Sequence, residues 1–272
     1  MRKLVIMLMA AALLLSACGG SNKPSSGESK GTFTVGMECN YAPFNWTKME
    51  DTDTSVAITS VDYADGYDVV MAQRIADELG LELVIEKIAW EGLEPALQSG
   101  KIDAIIAGMT ETPERAKSID FTSPYYESDM VMIVRGNDAL VSATSIQDFS
   151  GKRVLGQLNT TYDDIIEQID GVDHATPLAN YPLMVMALLS KDVDALTAEL
   201  PVARGVIEAN PSLKIVTFEE GKGFKADTSV SIGIKQGNKQ LLNDVQAALD
   251  KITPEERDQI MLDATNRQPA SE

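Results

Sequence analysis

Residues 100–115 read GKIDAIIAGMTETPER, and the fold follows from how this stretch is parsed. Ser99 and Gly100 make a turn, the apolar residues 102–107 predict a short strand, and Gly108 breaks it. Thr112 and Pro113 then predict a helix start. A threonine hydroxyl can cap a helix, and proline suits the first helical position because its missing N–H would be unpaired there. Strand, glycine turn and capped helix aim several backbone N–H groups at one point, which favours an anion. Arg115 falls at the third helical position, where a planar guanidinium can grip a carboxylate through two bonds. A second start, Thr253-Pro254-Glu255-Glu256, puts a glutamate there and completes a capping box. Arginine cannot accept a bond from the cap, so Arg115 is either an ordinary surface side chain or a ligand anchor.

Working outward, the chain alternates strands and helices. An opening strand is expected over 31–39, an aromatic loop, NYAPFNW, over 40–46, and an inserted hairpin over 47–65. Residues 67–79 carry Tyr67, Met71, Ile75 and Leu79 on one helical face, with Gly80 as the stop. A strand over 81–88, a helix over 93–98 and the strand 102–107 complete βαβαβ, the pattern of a parallel sheet. After a strand at 130–134 a second series begins. It has strands at 153–156, 173–175, 193–197 and 213–218, and helices at 160–168, 181–189 and 201–209. A strand at 230–234 and a helix at 241–252 follow. The segments GKIDAIIAG (100–108) and SKDVDALTAE (190–199) echo each other. Two similar α/β lobes with a ligand site between them are therefore expected.

The first seventeen residues stand apart. Arg2-Lys3 followed by the short apolar run 4–15 is too short to cross a bilayer core and reads as a signal peptide. The next residues, Leu15-Ser16-Ala17-Cys18, resemble the lipobox of bacterial lipoproteins, in which the cysteine carries a diacylglycerol. Residues 19–30, GGSNKPSSGESK, have the composition of a flexible tether, as expected between an anchor and a folded body. The chain is strongly acidic, with 41 Asp and Glu against 23 Lys and Arg, so non-specific nucleic-acid binding is excluded as a main role. With Cys18 lipidated, Cys39 has no partner for a disulfide.

Several chemistries are missing. One histidine, His174, excludes His-based triads and paired-His metal sites, and neither GxSxG nor GxxxxGK[ST] occurs. Residues 221–226 match a dinucleotide fingerprint only loosely, without a helix start behind them. No catalytic residue, metal or cofactor is expected.

From Phe33 to about Leu262 the chain resembles the polar amino-acid-binding proteins of ABC importers, the group that includes the glutamine- and lysine/arginine/ornithine-binding proteins. The resemblance rests on NYAPF (40–44), GYDV (66–69), WEGLxPAL (90–97), KIDAIIAGMTxTPER (101–115), IDFTxPYY (119–126), GKRV (151–154) and NTT (159–161). It implies a type II periplasmic-binding-protein-like fold, with two α/β lobes joined by crossings near 125–129 and 228–231. Lobe 1 would comprise residues 31–125 and 230–272, and lobe 2 residues 126–229. It also implies that Arg115 holds the ligand's α-carboxylate with Thr110 and the helix start at Thr161. Gly108 and Glu199 would take the α-ammonium, although the family's usual acid is an aspartate. Tyr41 and Trp90 would sandwich the ligand's side chain, with Gln157 and Glu38 at its end. Asn159 stands where the family commonly has glycine, which leaves that loop's conformation open.

Each of these residues has a plainer reading: Trp90 and Tyr41 as core aromatics, Thr161 as a cap, Glu199 as an acid serving a helix dipole. The resemblance implies a lipid-anchored, monomeric protein outside the cell membrane that delivers a free L-amino acid to an ABC permease. Glu38 and Trp90 favour a cationic ligand, arginine above lysine or ornithine, with glutamine as the competitor. The alternatives are a cyclohexadienyl-dehydratase-like enzyme, with Glu199 or Glu38 as proton donor, and a sensory binding module.

Overall fold

The computed structural model describes residues 31–269, so the expectations for the signal, Cys18 and the tether lie outside the described residues. The opening strand β1 (Thr32–Met37) buries Phe33, Val35 and Met37. A small antiparallel sheet follows from β2 (Asn40–Tyr41), β3 (Asn45–Lys48), β4 (Val56–Ala57) and β5 (Tyr63–Asp65); it contains the expected insertion, but the aromatic segment 40–46, expected as a loop, supplies β2 and the start of β3. Next come α1 (Tyr67–Leu79), β6 (Glu82–Lys87), α2 (Trp90–Ser99), β7 (Ala104–Ile105) and β8 (Ile119–Phe121). β1 lies between β6 and β7 and is parallel to both, with Val35 opposite Ile85 and Gly36 opposite Ile105.

The second series supplies β9 (Met130–Arg135), β10 (Arg153–Leu155), α3 (Thr161–Asp164), β11 (Asp173–His174) and α4 (Tyr181–Leu189). β12 (Ala195–Glu199), α5 (Leu200–Ala209) and β13 (Leu213–Val216) complete it. Its sheet runs β11-β10-β12-β9-β13. The chain then returns. β14 (Gly233–Lys235) enters the first sheet between β7 and β8, antiparallel to both, and α6 (Lys239–Leu249) and α7 (Pro254–Arg267) follow.

The structure is therefore the expected two-lobed α/β fold, but neither sheet is purely parallel. β9 and β14 each enter a sheet just after the chain has changed lobes, and so run against their neighbours. The two crossings lie side by side: the Tyr125 N–H donates to the Val230 carbonyl (2.8 Å) and the Val230 N–H to the Tyr126 carbonyl (2.9 Å). A single cluster of buried residues includes Phe33 and Met37 of the first lobe and Tyr181 and Leu196 of the second, so the lobes lie against each other.

Three local expectations are corrected. The helix expected from Thr112-Pro113 is only a single 3-10 turn, Arg115–Lys117, because β8 begins at Ile119 and leaves no room for a longer one. The helix expected over 160–168 splits into α3 and a 3-10 turn, Ile165–Gln168. The strand expected over 102–107 shortens to two paired residues.

The last helix keeps the predicted capping box. The Thr253 hydroxyl accepts the Glu256 N–H (3.2 Å), and the Glu256 carboxylate accepts the Thr253 N–H (2.9 Å). Arg267, in its last turn, reaches buried Asp65 (3.1 Å) and so ties α7 to the inserted sheet. Among the described residues no helix is long and apolar enough to cross a membrane. Thr253→Ala should lower unfolding free energy by about 1 kcal/mol, read from urea denaturation; no change would mean that α7 contributes nothing to the cooperative unit.

Candidate functional site

β12 is buried along its whole length and ends at Glu199, just before Leu200-Pro201 opens α5. The side chain makes no cap bond to that helix. Its Oε1 instead accepts the Tyr41 hydroxyl (2.8 Å) and the Tyr162 hydroxyl, and its Oε2 accepts the Ser128 hydroxyl (2.9 Å). The donors come from the first lobe, the second lobe and the outgoing crossing. Glu199 is completely buried and forms no ion pair with any described cation of the chain. Burial pushes its carboxyl above the ordinary range, and the three hydroxyl bonds only partly oppose this.

The turn after Gly108 places the cation. The Arg115 N–H bonds the Thr112 hydroxyl (3.2 Å), so the predicted cap bond forms even though the helix does not. Arg115 Nη1 donates to the Thr110 carbonyl (2.7 Å) and Nη2 to the Asn159 carbonyl (3.1 Å). The guanidinium lies over Trp90, 5.1 Å from the ring centroid, and Trp90 Nε1 donates to the same Asn159 carbonyl (3.1 Å). Burial lowers the Arg115 pKa, but an arginine stays charged at neutral pH. The buried Thr110 hydroxyl beside it has no hydrogen-bond partner.

Glu38, directly after β1, is 6% exposed. Gln157 Nε2 donates to Glu38 Oε2 (3.0 Å) across the lobes and to the Ala179 carbonyl (3.0 Å). Burial raises the Glu38 pKa against the bonds from Gln157 and the Trp90 backbone. Gly108 turns the chain at φ +62, and a Cβ there would lie 3.0 Å from Tyr41 Cε1, so only glycine admits that ring. Asn159 adopts φ +59, which keeps the left-handed conformation that a glycine would supply. Its side chain also donates to Glu91 (2.8 Å).

Thr161 is the first helical residue of α3, whereas the cap position belongs to Thr160, whose hydroxyl bonds the Gln157 carbonyl (2.7 Å). α3 sits close against β10 because residue 156 is glycine: a Cβ would come within 2.5 Å of Asp163 Cα. Tyr41 and Trp90 have different neighbours. Tyr41 stacks on Phe44 (5.3 Å) and tilts against Tyr181 (5.2 Å), while Trp90 faces Arg115.

The structure thus gathers Glu199 with Tyr41, Arg115 with Trp90 and Thr110, and Glu38 with Gln157. Sequence reading missed Tyr162, Tyr181 and Ser128. Tyr162 directly follows the NTT segment and was within reach, but no spacing pointed to Ser128. A hollow of about 420 Å³ adjoins Trp90, Met109, Arg115 and Asn159, whereas a larger one of about 720 Å³ lies behind the crossings and includes none of the predicted residues.

A carboxyl whose folded pKa is raised binds its proton more tightly in the folded state. Its contribution to stability is present at low pH and is lost as pH rises through the raised value. Glu199→Gln should therefore stabilise the ligand-free protein by about 1 kcal/mol or more at about pH 8, with the gap narrowing towards about pH 5. Urea unfolding checks this, and a gap that widens towards acid would contradict it.

Residues 33–262 match the model for bacterial extracellular solute-binding proteins, family 3. The chain is 32% identical over 220 residues to a probable histidine-binding protein of Campylobacter jejuni, covering 78% of this chain and 79% of that one. It is 29% identical over 259 residues to an ABC transporter glutamine-binding protein of Bacillus subtilis, covering 93% and 92%. The fold superposes with a TM-score of 0.76 and 29% identity on an amino acid ABC transporter substrate-binding protein of Streptococcus pneumoniae bound to L-arginine, covering 87% and 95%. With the family's match running from the first strand into the last helix, the chain belongs to family 3 of the bacterial extracellular solute-binding proteins.

Proposed function

We propose that this protein captures a cationic amino acid, arginine before lysine or ornithine, between its two lobes and delivers it to an ABC permease. The observation that carries the reading is the charge count at the cleft. Two buried carboxylates, Glu199 and Glu38, pair with no cation among the described residues, and one guanidinium, Arg115, stands beside a buried hydroxyl without a partner. A cationic amino acid carries the complement: an ammonium, a second cation and one carboxylate. The names of the compared proteins, which specify histidine, glutamine and arginine, support an amino acid as the solute.

In this reading Arg115, Thr110 and the first N–H groups of α3 at Thr161 take the α-carboxylate. The Gly108 carbonyl and Glu199 take the α-ammonium. Glu199 already accepts three hydroxyls, and a carboxylate has room for about four bonds. Glu38 and Gln157 meet the distal cation, and Tyr41 and Trp90 wall the cleft. Glutamine remains the second reading, because the Gln157–Glu38 pair can offer an amide both a donor and an acceptor. The lobes comprise residues 31–125 with 230–272, and 126–229, and they open and close about the paired crossings. Cys18 anchors the mature chain to the outer face of the cell membrane through lipid, and the tether that follows lets a monomer reach its permease.

Calorimetric titration of residues 31–272 against the twenty amino acids should give heat with arginine first, and silence from all twenty would sink the proposal. Arg115→Ala should abolish that binding while leaving the thermal midpoint of the ligand-free protein nearly unchanged. A loss of several degrees would instead make Arg115 a structural residue. Cys18→Ala should move the protein from the membrane fraction to the medium; retention on membranes would refute the anchor.

A further inference from the structure

Two motifs of the resemblance, GYDV and the PYY of residues 124–126, supply none of the ligand contacts above, yet they meet behind the site. Asp68 is completely buried. Its Oδ1 accepts the Tyr125 hydroxyl (2.6 Å), and its Oδ2 accepts Asn45 Nδ2 (2.8 Å). The Tyr125 oxygen in turn accepts the Gly108 N–H (3.0 Å), and Asn45 Oδ1 accepts the Cys39 N–H (2.7 Å). Each arm therefore runs from one carboxylate to a residue in the left-handed region, Gly108 at φ +62 and Cys39 at φ +57. The first turn carries the Gly108 carbonyl assigned above to the ligand, and the second directly follows Glu38. Tyr67 holds Tyr125 from the side, its hydroxyl donating to the Tyr125 carbonyl (2.8 Å) with the rings stacked at 5.7 Å.

The direction of both arms is fixed by their outer ends. Backbone N–H groups only donate, so Asn45 must turn its oxygen to Cys39 and its amide nitrogen to residue 68. Tyr125 must likewise accept from Gly108 and donate to residue 68. The carboxylate at 68 accepts at both ends, whereas an amide would turn its nitrogen to Tyr125 or to Asn45 and leave one of their hydrogens without an acceptor. We propose that Asp68 is a positioning residue of the ligand site, its carboxylate holding the Gly108 and Cys39 turns in the geometry that binding requires. This rests on the reading of the cleft given above.

Burial raises the Asp68 pKa to about 7, against the bonds from Tyr125 and Asn45, and the charge of Glu199 adds to the rise. Around it stand Tyr67, Tyr125, Cys39 and Glu199, and burial raises the pKa of each. A protonated Asp68 must donate through one oxygen and so gives up one arm.

The test compares wild type, Asp68→Asn, Tyr125→Phe and the double variant. Residue-resolved amide exchange is read without ligand, and titration with L-arginine, L-histidine and L-glutamine is run beside it. Tyr125→Phe should speed exchange at Gly108 about tenfold or more while Cys39 stays protected, and Asp68→Asn, which keeps one acceptor oxygen, should speed exchange at one of the two turns at least. Each single variant should bind about tenfold or more weakly, and the double variant no more weakly than Asp68→Asn, as members of one chain do. Wild-type affinity should fall more steeply than that of Asp68→Asn between about pH 8.5 and about pH 5.5, since only the wild type can take up a proton at residue 68 and every other titrating group is common to both. Unchanged Gly108 exchange in Tyr125→Phe overturns the proposal, as does a lowered thermal midpoint with affinity within about twofold of wild type. If wild type binds no amino acid, the functional reading falls, and the exchange pattern alone decides whether Asp68 holds the two turns. If Asp68→Asn fails to fold, Tyr125→Phe, which removes only a hydroxyl, carries the test.

Discussion

A completely buried carboxylate, Glu199, is held by hydroxyls from three separate parts of the chain, and it depends on those parts coming together. Removing a carboxylate from water costs several kcal/mol, and three neutral donors recover only part of that. The lobes accept the cost because the donors are Tyr41 from one side, Tyr162 from the other and Ser128 from the crossing. The same carboxylate therefore ties both lobes and a crossing to one point. A stable core would have used a leucine at this position.

Topology makes such a site affordable. β12 delivers Glu199 from the middle of the second sheet, β1 delivers Glu38 from beside the edge strand β6 of the first, and each residue lies at the C-terminal end of its strand. Arg115 follows the end of β7, the strand next to β1. Open α/β sheets collect ligands at that edge because the strands end there and the loops are free to vary. The return of β14 between β7 and β8 closes the arrangement, since the two lobes are then joined by two adjacent crossings instead of one tether. A double crossing constrains the two lobes more than a single tether would.

Much of this was legible in the sequence where the signal is local. Apolar spacing gave both ends of α1 and α4, and Thr253 with Glu256 announced the start of α7. Pro113 misled because a good helix start says nothing about how soon the next strand must begin. At 160–168 a correct helical pattern hid a change to 3-10 geometry at Ile165. The partners of Glu199 lie 37, 71 and 158 residues away, and no periodicity encodes contacts of that range. Asp68 and Tyr125 fall in separate motifs 57 residues apart, and only the fold brings them together behind Gly108.

Asn159 shows how a departure from a family pattern can be absorbed and then used. Its φ of +59 costs an asparagine less than most residues, because its short polar side chain tolerates the left-handed region. The carbonyl of that strained residue accepts both Trp90 and Arg115 from the opposite lobe, which a glycine would also allow. The side chain adds a third bond, to Glu91, that a glycine could not make. This loop therefore joins the lobes at the rim of the cleft as well as at its floor. The bond to Glu91 is exposed to water and contributes modestly by itself. It spans the two lobes, however, so its whole contribution favours the arrangement in which they lie together.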